Sequence, residues 1–152
     1  MRSLFLFAHL LGFTLWMGGG FAAMTLGLAM REMPRPQLAG MAQVLARLHR
    51  GVILPGVLLA VISGLLLTLE LYGTATAAAG YPVPLMVMQG AGLLAAGIAL
   101  VVNLPTVTRI TRLDPVGTHA ALFDALRRKA AAGGLLAAAL GLAALAAGAM
   151  LR

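Results

Sequence analysis

With 152 residues, 61% of them hydrophobic and only 10% charged, and a mean hydropathy of +0.99, the chain departs far from a soluble composition and reads as a membrane protein. Its formal charge of +7 is spread between apolar runs rather than gathered in one patch, which points to lipid contact and topology and away from nucleic acid. There is no cysteine, so disulfides, iron–sulfur clusters and thiolate metal sites are excluded; any metal must be held by histidine, methionine, carboxylate or a cofactor.

Four apolar runs, residues 3–30, 52–72, 84–107 and 130–151, each reach the roughly 20 residues that cross a ~30 Å hydrocarbon core. They fill nearly the whole chain, and the first is too long for the roughly 7–15-residue core of a cleaved signal. Nine of the eleven basic residues lie in two segments: Arg31, Arg35, Arg47 and Arg50 after the first run, and Arg109, Arg112, Arg127, Arg128 and Lys129 after the third. The positive-inside rule places both segments in the cytoplasm. The expected fold is an all-α membrane protein with one domain over residues 1–152. It is a four-transmembrane-helix antiparallel bundle, both termini outside, with short cytoplasmic amphipathic segments.

In chain order, Pro34 and Pro36 in "REMPRPQ" force a turn after the first span. Residues 37–48 carry Leu38, Met41, Val44, Leu45 and Leu48 at helical spacing, so this segment lies at the inner interface or extends the second span. Pro55 falls near the start of that span, where a mild kink is expected. The outer connection "YGTATAAAGYPVP" is a short loop flanked by Tyr72 and Tyr81 as interfacial aromatics. Residues 116–129 read as an amphipathic helix with Thr118 as its cap, running into the last span. There, Ala137 with Gly141 and Ala144 with Gly148 form small-xxx-small pairs suited to close helix packing, and a homodimer is a reasonable expectation.

The chemistry-bearing residues concentrate on the first span. At 100° per residue, His9, Phe13, Trp16, Gly20, Ala23 and Gly27 fall within about 40° of one line. That stripe is aromatic in its outer half and smooth in its inner half, where a helix or a flat cofactor could approach the backbone. An ionisable residue within a span is a functional candidate by default, which singles out His9. Antiparallel threading brings Glu70, Met86, Met88 and Gln89 to the same level. Glu70 or Gln89 could orient His9, while Met86 and Met88 cannot both face one way on a helix. His49 and His119 belong to the opposite side and define an alternative inner site.

The segments "AHLLGFTLWMGG", "RLHRGVILPGVLLAVISGLLL" and "VVNLPTVTRITRL" resemble those of a superfamily of small four-helix membrane proteins. It includes the copper-resistance D membrane domain, the membrane-bound haem-containing protoporphyrinogen oxidase and an uncharacterised bacterial group, which the chain resembles most. The resemblance implies the bacterial inner membrane and, by analogy with the oxidase, an axial haem ligand at His9. Where the oxidase pattern has a lysine and a histidine in the third span, this chain has Gln89 and Asn103.

The leading expectation is a haem b redox protein acting in electron transfer or in tetrapyrrole or quinol oxidation, with a quinone or another redox partner. His9 is its axial ligand, Met86 or Met88 the second, and the stripe from Phe13 through Trp16 to Gly20 receives the porphyrin. Arg47 or Arg50 would suit propionates only with the haem nearer the cytoplasmic side. Two alternatives stand beside it. One is copper binding or transport through His9, Met86 and Met88, whose imidazole and thioether donors suit Cu(I). The other is a non-catalytic scaffold packing against a larger membrane complex.

Overall fold

The computed structural model describes residues 1–73 and 80–151, and the regular elements among them are all helical. Four stretches are long and apolar enough to cross a membrane: Arg2–Ala29, Arg35–Tyr72, Val83–Ile110 and Ala120–Ala149. The first is α1 (Arg2–Ala29). The second joins α2 (Arg35–Leu48) through a π-helical segment, His49–Ile53, to α3 (Leu54–Tyr72). The third likewise joins α4 (Val83–Gly97) through a π segment, Ile98–Asn103, to α5 (Leu104–Ile110), and the fourth is α6 (Ala120–Ala149). The amphipathic residues 37–48 therefore extend the second span as continuous helix.

Both π segments have the same local cause. Each ends two residues before a proline, in Ile53-Leu54-Pro55 and in Asn103-Leu104-Pro105. Proline has no N–H to give the carbonyl four residues back, Gly51 in one case and Val101 in the other. The helix absorbs the loss by widening for a turn, so Pro55 produces a π segment where a simple kink was expected.

Helix ends follow local chemistry as well. α3 stops at Gly73, whose φ of +61° suits a residue without Cβ. Across the connection, the Tyr72 and Tyr81 rings meet edge-on, 5.9 Å between centroids; residues 74–79 lie outside the described residues. Thr118 does not cap the last helix. His119 holds the N-cap position without a side-chain hydrogen bond, and the Thr118 hydroxyl lies 3.4 Å from His119 Nδ1 instead. The preceding turn is fixed by Asp114, whose carboxylate accepts the Val116 N–H at 2.9 Å.

Packing is tightest between α1 and α3. A Cβ on Gly12 would collide with the Ala60 backbone nitrogen and lie 2.9 Å from the Gly56 carbonyl. One on Gly56 would lie 2.7 Å from the Trp16 nitrogen. The two backbones touch, the device by which helices associate where lipid supplies no hydrophobic drive. His9, Gly12 and Gly19 meet Gly64, Ala60 and Ile53 in that order, so the two helices run antiparallel. On the other side, Met88 seats its sulfur against Gly148, and Asn103 lies against Gly133, bringing α4 and α5 onto α6. Met17 of α1 fills the space over Gly141. The small-residue faces of α6 are thus occupied within the chain: Ala137, Gly141 and Ala144 are all buried.

Two cores result. Trp16, Ile53, Val57, Ala60, Ala95, Ala96, Ala99 and Ala137 form one, mid-span. Met30, Leu38, Ala42, Ile110 and Phe123 form the other, at the end where the arginines gather, called here the basic end. Arg35 closes that end by pairing with Asp124 at 3.0 Å and donating to the Pro115 carbonyl at 3.0 Å, while Arg50 donates to the Thr108 hydroxyl at 3.1 Å.

A cavity between the first and last helices

α1 packs closely on the second span at Gly12 and Gly19 and is open on its other faces. Cβ atoms on Gly18, Gly20 and Gly27 would meet nothing within 4 Å. Beside Gly20 and Gly27 lies a cavity of about 500 Å3, walled by α1 and α6, with Ile53, Ala99 and Val107 behind. Phe21, Met24 and Leu28 on one rim and Leu135 on the other are exposed, so the cavity opens sideways onto the surface a membrane would cover. The predicted stripe divides here: Trp16, Gly20, Ala23 and Gly27 line the cavity, whereas His9 and Phe13 stand outside it.

Each π segment contributes one buried polar side chain to the cavity wall, His49 from the first and Asn103 from the second. His49 Nδ1 lies 2.9 Å from the Leu45 carbonyl. A carbonyl only accepts, so Nδ1 carries the proton and donates, and in the neutral ring Nε2 holds the lone pair. Asn103 is 5% exposed, and its Oδ1 has no donor among the described residues, being set against Gly133 where a Cβ would otherwise lie. Arg31, Arg127 and Arg128 stand at the basic mouth.

His9 has the same hydrogen-bond chemistry in a different setting. Its Nδ1 donates to the Ala60 carbonyl at 2.8 Å, and its ring fills the notch left by Gly64, where a Cβ would lie 2.9 Å from Cε1. Ala60 lies eleven residues beyond His49, which separates the two histidines by roughly 16 Å along the helix axis. They cannot ligate one metal.

The other predicted residues are dispersed. Met86 is half exposed, Met88 is spent on Gly148, and Glu70 is exposed. Gln89 donates to the Thr68 hydroxyl at 2.7 Å, joining α4 to α3 rather than approaching His9. His119 is exposed at the head of α6 and is not part of the cavity that holds His49. No hydrogen bond or ion pair among the described residues links His9 to Glu70, Gln89 or either methionine. Nor do three or more histidine, aspartate or glutamate side chains among them come together as a metal site. The sequence reading passed over the Asn103–Gly133 contact and the arginine mouth; the repeated Leu-Pro signal, at equal offset from the two π segments, could have pointed to this level of the bundle.

In comparison with known proteins, no family model matches this chain, and no curated protein or solved structure matches it either.

Proposed function

We propose that the chain is a four-helix antiparallel bundle of the bacterial inner membrane, termini outside, that binds haem b for redox work in the half nearer the cytoplasm. In this reading His49 would hold the haem iron. The observation that carries it is the cavity itself, which joins an imidazole in its wall, smooth apolar sides and a cationic mouth in a volume within the roughly 300–1,000 Å3 typical of ligand sites.

The residues fit the group in each respect. An imidazole whose Nδ1–H is committed to a carbonyl is the usual form of a metal-bound histidine, with orientation and basicity fixed by the outer hydrogen bond. Trp16 and the bare backbone at Gly20 and Gly27 suit a flat macrocycle. Arg31, Arg127 and Arg128 suit two propionates, which removes the conflict that arose when His9 was the ligand and the arginines lay at the other end. When bound, haem supplies one-electron chemistry at the iron. The protein's part is to hold the ring, exclude water with the apolar walls and neutralise the propionates at the mouth. Copper binding through His9, Met86 and Met88 has no comparable support, since each of those side chains lies in a separate environment.

The test is an oxidised and dithionite-reduced absorption spectrum of protein purified in mild detergent from haem-replete cells. A Soret band with reduced α and β bands is expected at near one haem per chain. A protein that stays colourless after haem addition rejects the proposal.

A further inference from the structure

The basic end holds a second hollow of about 450 Å3, which shares Met30, Arg31, Arg127 and Arg128 with the cavity and adds Arg35 and Asp124. Its charges do not balance. Arg35 is answered by Asp124, the Arg127 side chain donates only to the Met30 carbonyl at 3.3 Å, and the Arg31 and Arg128 side chains make no hydrogen bond or ion pair among the described residues. Four guanidiniums therefore face one carboxylate. Two haem propionates at the shared arginines would still leave a net positive charge.

We infer that this hollow is a binding basin for a phosphate-bearing anion, with Arg31 and Arg128 as its main donors. Cations gathered around one hollow repel one another, and an anion among them reverses the sign of that interaction. The guanidinium fork matches phosphate oxygens in pairs, with charge-assisted hydrogen bonds about twice as strong as neutral ones. The remaining wall is apolar: Met30, Met33 and Leu38. A basin that is cationic on one side and apolar on the other, at the end of four helices of membrane-spanning length, suits the phosphodiester of an anionic phospholipid. A free phosphate shares the same chemistry. The inference shares Arg31 and Arg128 with the haem reading, which gives them to propionates, but it does not need the haem: within the chain neither side chain has a described partner.

The experiment is native mass spectrometry of the purified chain in neutral detergent, titrated with phosphatidylglycerol, phosphatidylcholine or inorganic phosphate. Saturable binding of phosphatidylglycerol is expected, with phosphatidylcholine at least about tenfold weaker and a similar loss in the Arg31→Gln/Arg128→Gln variant. Neither side chain makes a described hydrogen bond, so the substitutions remove no hydrogen bond of the fold. Arg47→Gln/Arg112→Gln, outside the basin, should bind as wild type. Competition by inorganic phosphate would identify the phosphate group alone as the ligand; its failure to compete would identify the lipid. Equal binding of both lipids, equal losses in the two double variants, or no saturable anion binding would overturn the inference.

Discussion

His9 and His49 are a matched pair with opposite surroundings. Each imidazole donates Nδ1–H to a backbone carbonyl, Ala60 in one case and Leu45 in the other, and each keeps Nε2 for a further partner. His9 fits a glycine notch on α3; His49 sits where the chain widens into a π turn and a cavity opens. The difference teaches that hydrogen-bond preparation does not make a ligand site by itself. Among the described residues, His49 borders room for a ligand and charge to meet a polar edge, whereas His9 fills a glycine notch.

Exchanging one histidine at a time gives the widest separation. His49→Ala should reduce the Soret absorbance of haem-loaded protein to about a tenth of wild type or less, whereas His9→Ala should retain most of it. If His9→Ala bleaches the protein and His49→Ala does not, the comparison is inverted and the cofactor belongs in the outer half. Either variant should melt at a lower temperature by the equivalent of about 1 kcal/mol for the lost hydrogen bond, so circular dichroism separates unfolding from ligand loss.

The packed contacts can be broken without replacing either histidine. Gly12→Ala places a methyl group against the Ala60 backbone, which cannot rotate away, and should cost about 3 kcal/mol or more in thermal unfolding. Gly141→Ala meets only the end of the Met17 side chain, whose thioether can turn aside, and should cost about 1 kcal/mol. Equal losses would mean that the α1–α3 contact is no tighter than the α1–α6 contact. Gly64→Ala falls between them: its methyl group must displace the His9 ring and strain the bond to Ala60, at about 2 kcal/mol, without loss of bound haem.

These pairs also show how far the sequence could be read. Run length and charge placement gave four helices of membrane-spanning length, with ends within a few residues over much of the chain, because hydropathy and proline act locally. The stripe on α1 was legible as a periodicity, but the point at which it changes from contact to cavity was not. That boundary depends on which glycines meet a neighbour: Gly12 and Gly19 do, while Gly18, Gly20 and Gly27 do not, and nothing in the letters separates them. His49 was legible as a residue of the inner side, but the π turn that buries it arises from a proline six residues later. Asn103 is hidden for a similar reason, since its surroundings come from Gly133, thirty residues away in sequence.

Gly20 offers the finest test, because the two faces of α1 predict opposite outcomes for the same kind of substitution. A methyl group there meets nothing within 4 Å, and alanine favours helix over glycine by about 1 kcal/mol, so Gly20→Ala should leave the melting temperature unchanged or slightly raised. Gly20→Leu should also fold, since its side chain extends into the cavity rather than into a neighbouring backbone. The larger residue would occupy space that a porphyrin bound in the cavity would need, so haem affinity should fall by about tenfold while helicity is retained. The same replacement at Gly12 should fail to fold. If Gly20→Leu binds haem as wild type does, the porphyrin does not lie along α1, and His49 must hold its ligand from the α6 side of the cavity.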